Sequence, residues 1–415
     1  MLHWKKLSSE QIKQRIFKAL EHNIDYFHES TLGVPGSHLD QKVFPSDATF
    51  LKDSPFLYAM VHNPNHIGCH TLGESESFFK GTHAIEREVI QVCGEVMLKG
   101  ATDQQDGYIA SGGTEANIQA FWVYRNYFMQ EMGAKVDEIC ILCSEDSHYS
   151  MSKGANLLQV GFHMVKVNFE DRKIDPALLQ ADVKILQEQG YRYFIVVANM
   201  MTTMFGSVDD PSVYTDALEA MDLPYRLHVD GAYGGFVYPF ADRENSVLHF
   251  GNPKVSSITL DAHKLGQAPY GTGIFLVRKG LINYVNNQDA SYVQGLDTTL
   301  VGSRSGANAI AVWMILMSYG FFGWHEKVQI LMMRTQWLCD QLDAMEISYF
   351  RDPSANIVTI QAASLDHELA YEFGLVPDNH SAPKWFKVVV MDHVTVDKMA
   401  PFIEKLKLKT KTTSI

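Results

Sequence analysis

Basic excess, cysteine and a long apolar leader are what this chain has little of. Its 415 residues carry 35 Lys and Arg against 48 Asp and Glu, a net charge of −13. Such an acidic chain offers no general counter-charge to nucleic acid or an anionic membrane, so neither is expected as a partner. The five cysteines, Cys69, Cys93, Cys140, Cys143 and Cys339, are odd in number and scattered, which argues against a disulfide framework. The opening "MLHWKKLSSEQIKQRIFKALEHN" holds no long apolar stretch. It reads as an amphipathic helix with Ile12, Ile16, Phe17 and Leu20 on one face rather than as a secretory signal. A cytoplasmic location is expected. One stretch, Ser305 to Trp324, is uncharged and about as long as a membrane span. Its small residues, its isolation and the lack of basic flanks favour a buried helix of a soluble protein.

Familiar nucleotide and metal signatures are missing too. The Gly-rich segment "SGGTEAN" (Ser111 to Asn117) lacks the Lys-Ser/Thr ending of a nucleotide P-loop and the G-x-G-x-x-G spacing of a dinucleotide site. "CILC" (Cys140 to Cys143) lies inside an apolar strand pattern with no second pair, so core cysteines are the better reading. "HIGCH" (His66 to His70) has metal-like residue types but no matching cluster elsewhere, and no metal is expected. There is no internal repeat.

From about residue 105, short apolar runs alternate with helical patterns. "GYIAS", "EICILCS", "HMVKVN", "YFIVVANM", "RLHVD", "SSITLD" and "GIFLVRKG" read as strands. Nearly continuous apolar strands separated by helices imply a mostly parallel sheet covered on both faces, an α/β fold. The chain is too long for a single core. Residues 1–60 read as an arm with one helix, 61–310 as a large domain and 311–415 as a smaller α/β domain.

In open α/β sheets, ligands gather at the carboxyl ends of the strands. Five of the predicted strands end there in polar groups: Gly112-Gly113-Thr114, then Glu145-Asp146 with His148, then Thr202-Thr203, then Asp230, then Asp261 with His263 and Lys264. The "SGGTEAN" turn opens a helix, whose free N–H groups and dipole favour a single phosphate; an ordinary helix start with Thr114 as N-cap is the bland alternative. Asp230, followed by small Gly231 and Ala232, is a carboxylate that needs a cationic or donor partner. Lys264 ends an interior strand, where an unpaired ammonium is costly. A phosphate cradle, a buried Asp, a stacking His and a strand-end Lys are together what pyridoxal phosphate requires. The lysine forms a Schiff base with the aldehyde, and the Asp keeps the pyridine ring protonated.

From about Phe79 to Trp313 the sequence resembles the fold-type I, pyridoxal-phosphate-dependent group II amino acid decarboxylases. "SGGTEAN", "SHYSMSKGA", "HVDGAYGG", "SITLDAHKLG" and "GSRSG" occur in family order, in the manner of the short L-tyrosine/L-aspartate decarboxylases. Sphingosine-phosphate lyases share much of this pattern. The resemblance implies Lys264 as the Schiff-base lysine, Asp230 as the pyridinium partner, and His148 and Ala232 on the two ring faces. It implies Gly113, Thr114 and His263 as phosphate contacts. Thr202 falls where the family has a Gly-Thr-Thr turn, although here "MMTTMFG" puts Met201 in the glycine position. Ser303 matches a cofactor contact. Arg304 matches a residue that grips a carboxylate or phosphate, with an interface ion pair as the other reading. Tyr292 is the candidate proton donor. Asp261 is expected to turn away from the phosphate toward some donor. The implied reaction is decarboxylation of an L-amino acid by a homodimer. The rival readings are a retro-aldol carbon–carbon lyase, an aminotransferase and a non-enzymatic scaffold.

Overall fold

Seven of the apolar runs become the strands of one sheet. They are β1 (Gln105–Ala110), β2 (Ile139–Ser144), β3 (Gly161–Val165), β4 (Tyr193–Asn199), β5 (Tyr225–Gly231), β6 (Val255–Asp261) and β7 (Gly273–Arg278). The computed structural model from which these are read describes residues 3–25, 39–73, 76–286 and 296–413. The spatial order is β1-β7-β6-β5-β4-β2-β3. Neighbours from β6 to β3 run parallel, while β7 lies antiparallel to both β6 and β1. The sheet is therefore mixed but mostly parallel. Every residue of β2 and β6 is buried, as expected of strands covered on both faces. Because side chains alternate along a strand, Cys140 joins one hydrophobic cluster and Cys143 the other. The two thiols face opposite sides of the sheet. All five cysteines are buried and free.

Helix α1 (Ser9–Glu21) starts at a capping box between Ser8 and Gln11 and buries Ile12, Ile16 and Leu20. Helix α2 (Lys80–Gln91) leads toward β1, and α3 (Gly113–Met132) follows it. The uncharged stretch proves to be part of α4 (Gly306–Asp343), whose most apolar window is 61% buried inside the protein. Trp313, Leu316, Met317 and Trp324 lie in the core. Gly320 breaks α4 with φ 64° and ψ 175°. A Cβ there would sit 2.7 Å from the Lys6 backbone nitrogen, so glycine serves both the left-handed φ and the close approach. Near this break the Trp4 indole donates to the Leu316 carbonyl at 2.7 Å.

α4 runs across the expected boundary at 310/311. Beyond it, the short strands Tyr349–Phe350, Ile357–Gln361, Val376–Pro377 and Trp385–Val389 form an antiparallel sheet. They bury a third hydrophobic cluster that includes Leu338, Phe386, Phe402 and Leu406.

Candidate active site

The carboxyl ends of β1, β2, β4, β5 and β6 converge on a cavity of about 350 Å³. Of the residues singled out in the sequence, Gly113, Thr114, His148, Thr202, Asp230, Ala232, His263 and Lys264 all line it. Lys264 stands on the connection from β6 to β7. These two strands are antiparallel neighbours, so this connection is a turn rather than a crossover helix. No ion pair holds the Lys264 amine among the described residues.

Asp230 ends β5. One of its oxygens accepts the Ala232 N–H at 3.0 Å and the other accepts the Asn117 amide at 3.1 Å. Both partners are neutral, and no ion pair balances this buried carboxylate among the described residues. It therefore waits for a cationic partner from a ligand. Across the cavity, Nδ1 of His148 lies 2.9 Å from the Ser150 hydroxyl. Burial lowers the pKa of His148; the Asp230 carboxylate opposes this, and the charges of Lys264 and Lys153 push the same way as burial.

The helix-start cradle is built differently from expectation. Gly112, not Thr114, is the N-cap of α3. The Ser111 N–H is taken by Glu115 at 2.7 Å, and the Gly113 N–H by Oδ2 of Asp261 at 3.1 Å. Asp261 was expected to turn away. It does find a backbone donor, but it also lines the cavity and its other oxygen lies 2.6 Å from Nδ1 of His263. That short contact lacks aligned hydrogen-bond geometry. A Cβ on Gly113 would press on the Ala232 Cβ at 3.0 Å, so this turn requires a glycine.

Met201, in the place of the family glycine, adopts φ 69°. The left-handed backbone persists without the residue that adopts it freely. Thr202 next to it reaches the cavity, with its hydroxyl 2.8 Å from that of Ser207.

Two expected site residues lie outside the cavity of their own chain. Arg304 does not reach it. Its buried guanidinium pairs with Glu86 at 2.5 Å and donates to the carbonyls of Ile109 and Gly68. Ser303 is exposed and accepts from Asn65 at 3.2 Å, outside this cavity. Tyr292 lies outside the described residues.

Glu86 also gathers the metal-like histidines. His66 and His70 approach one of its oxygens at 3.0 and 3.1 Å, and the ring of His83 stacks on that of His70 at 3.7 Å. Burial alone would raise the Glu86 pKa, but Arg304, His66 and His70 together hold it well below the usual range. A dication placed here would sit beside the Arg304 guanidinium.

Sequence reasoning missed three groups. Asn117 was quoted in its motif but given no role, although its i+4 spacing from Gly113 puts it on the same helix face. Asn199 lines the cavity and is held by Asp209 at 2.8 Å. Lys387, a lone cation in the apolar strand Trp385–Val389, donates to the Thr203 carbonyl at 2.8 Å. Burial, and behind it the charge of Lys264, pulls its pKa down. A lysine interrupting an apolar run was the signal for it.

A mostly parallel α/β sheet with a lysine, a buried carboxylate and a helix N-terminus at its strand ends defines an enzyme of the pyridoxal-phosphate class. Residues 66–351 match the pyridoxal-dependent decarboxylase conserved domain. The chain belongs to that family and is a pyridoxal-phosphate-dependent amino acid decarboxylase. It is 48% identical over 408 residues to a tryptophan decarboxylase of Clostridium sporogenes, covering 98% of each chain. It is 32% identical to a probable L-tyrosine/L-aspartate decarboxylase of Methanocella arvoryzae, covering 86% of this chain and 94% of the relative. Among solved structures, L-methionine decarboxylase of Streptomyces sp. 590 superposes with TM-score 0.69 at 20% identity, covering 96% and 94% of the two chains. A sphingosine-1-phosphate lyase of Burkholderia pseudomallei superposes with TM-score 0.70 at 19% identity, covering 80% and 77%. At such identities these two share the fold. The cavity suits pyridoxal phosphate, offering the Lys264 amine, the buried Asp230 carboxylate with neutral partners only among the described residues, and the N-terminus of α3.

Proposed function

We propose that this decarboxylase acts on an aromatic L-amino acid, tryptophan foremost, and that Lys264, Asp230 and His148 are its central residues. The observation that carries the residue assignment is their convergence, from three separate strands, on one cavity. The substrate class rests on the 48% identity to the C. sporogenes enzyme across 98% of both chains. The retro-aldol alternative rests on shared sequence motifs and on likeness of fold at 19% identity.

When bound, pyridoxal phosphate supplies the electron sink for the bond broken at the substrate Cα. The chain's own residues supply attachment, orientation and charge. The Lys264 amine is the group that would hold the aldehyde. Asp230 would take the ring nitrogen as its cationic partner and keep it protonated, and His148 and Ala232 would lie against the ring. Thr114, on the first turn of α3, and His263, held beside Asp261, take the phosphate, where the helix dipole adds to their attraction. Lys387, half-buried in the groove that adjoins this cavity at His148 and Thr203, would take the substrate carboxylate.

The enzyme works as a cytoplasmic homodimer in which residues 311–415 form a second domain. Leu296, Leu300 and Val301 leave apolar side chains exposed beside Ser303, a surface that a second copy would cover. The deciding experiment incubates protein and cofactor with L-Trp, L-Tyr, L-Phe, L-Asp, L-Glu and L-Met. Carbon dioxide and amines are then measured. Tryptamine should dominate; a preference for an acidic substrate would overturn the substrate assignment.

A further inference from the structure

Behind the cavity runs a buried chain of polar groups whose protons can be placed by donor and acceptor logic alone. Asn117 stands at its centre. Its Nδ2 lies 3.1 Å from Asp230 Oδ2 and 3.1 Å from Ser150 Oγ, and its Oδ1 lies 2.9 Å from His228 Nε2. A carboxylate only accepts, so the amide must turn its NH₂ toward Asp230. Its oxygen then faces His228, whose Nε2 must carry a proton. Nδ1 of His228 is left to accept from the Ser257 hydroxyl at 2.6 Å. Ser257 in turn accepts from the Tyr124 hydroxyl. Burial keeps His228 neutral, with its pKa lowered to about 4, in keeping with one proton on its ring.

The other branch is equally constrained. Ser150 Oγ accepts from Asn117, so its own proton goes to Nδ1 of His148 at 2.9 Å. The Ser150 backbone N–H also points at that nitrogen, at 3.2 Å. Two donors converge on Nδ1, so it holds no proton. The ring proton of neutral His148 therefore belongs on Nε2. All the donors point one way, from Tyr124 through Ser257, His228 and Asn117 toward Asp230 and His148. Bonds aligned in this sense polarise one another. Asn117, Ser150, His228, Ser257 and Tyr124 are all fully or almost fully buried.

We infer that Asn117 and Ser150 are positioning residues that set the two cofactor-facing groups together, aiming the carboxylate of Asp230 and fixing the proton of His148 on Nε2. The inference rests on the proposed roles of Asp230 and His148. Its consequence is that a neutral ring, not an imidazolium, lies over the pyridinium. The Nε2 proton thereby remains available as a donor.

The test uses the full-length protein with histidine-selective isotope labelling. The ring resonances of His148 are identified by their loss in His148→Gln. Wild-type protein, with and without pyridoxal phosphate, should show the Nε2–H tautomer. Ser150→Ala should shift His148 to a tautomer mixture, and Ser150→Thr, which keeps the hydroxyl, should restore it. Cofactor affinity, followed by tryptophan fluorescence of the apoprotein, should weaken about tenfold in Asn117→Leu, the effect of one well-placed hydrogen bond. It should weaken less in Ser150→Ala and recover in Ser150→Thr. An Nδ1–H tautomer in the wild type, or a Ser150→Ala protein with unchanged tautomer and affinity, overturns the inference. If Asn117→Leu does not fold, the Ser150 pair decides. Asp230→Asn and His148→Gln separate the two levels. If neither weakens cofactor binding, the proposed site roles fail. If both do while the Asn117 and Ser150 variants behave as wild type, only this inference fails.

Discussion

Arg304 and Glu86 meet at 2.5 Å in the protein interior, with side chains 5% and 1% exposed. The pair ties the strand Ser303–Ser305 to α2, and the same carboxylate accepts the β1 Ile109 N–H at 2.8 Å. Removing one partner of a buried pair strands the other, at a cost of about 3–5 kcal/mol. Arg304→Ala should therefore lower the urea midpoint of the apoprotein sharply, with little change in cofactor bound per folded molecule. A rise in KM with unchanged stability would instead revive Arg304 as a carboxylate grip.

Lys264→Ala should fold and should lose the visible absorption of covalently held cofactor. Turnover should fall by about a thousandfold or more. Borohydride treatment of the loaded wild type should fix the cofactor's mass on the peptide containing Lys264. The same mass on another lysine would remove Lys264 from its role.

Lys387→Met should raise KM for the amino acid by about 10–100-fold, the worth of one charged hydrogen bond. Lys387→Arg should recover most of the loss. Steady-state kinetics on both variants checks this, and an unaltered KM in Lys387→Met would remove the lysine from the substrate site.

Met201 sets two effects against each other. Its left-handed backbone costs about 1–2 kcal/mol, which glycine would relieve. Its side chain is only 3% exposed, and truncating a buried Met costs about 2–5 kcal/mol. Burial is the larger effect, so Met201→Gly should destabilise by about 1–3 kcal/mol in chemical denaturation. A more stable variant would mean that backbone strain dominates.

Acid should destabilise the fold through its buried histidines, well above the ordinary carboxylate range. Burial is the main cause that lowers His66 and His228 to about 4 and His83 to about 2. An unfolded histidine titrates near pH 6.5. Between pH 6.5 and 4 the unfolded chain binds these protons and the folded one does not, so stability falls as pH falls. Asp209 opposes this, because burial raises its pKa to about 7 and the folded state there holds a proton that the unfolded state lacks. With one of three histidines cancelled, the slope is about 3 kcal/mol per pH unit. Urea midpoints at pH 7, 6 and 5 should trace it; a flat profile would refute the assignment.

Much of this was legible because strands and their ends are written locally. All seven sheet strands announced themselves as apolar runs, and after five of them at least one of the named residues lines the cavity, although Glu145 and Asp146 do not. Pairing was not legible. The sequence of β7 does not reveal its antiparallel direction, since direction depends on which neighbour it meets. The Arg304–Glu86 pair was not legible because its partners lie 218 residues apart. Asn117 was overlooked because its role depends on Asp230 and His228 of β5 and on Ser150 of another segment. The family pattern suggested a glycine at 201; here a buried methionine adopts a left-handed backbone there.

The five cysteines bear on carbonyl chemistry. A bound aldehyde is open to any nucleophile within reach, and a thiolate would compete with the lysine amine. Burial raises the thiols of Cys93, Cys140 and Cys143 to about 12, that of Cys69 to about 11, and that of Cys339 as well. At neutral pH they remain protonated inside the core. The protein can therefore carry a reactive aldehyde while its own sulfur stays out of the reaction, leaving that carbon to amines.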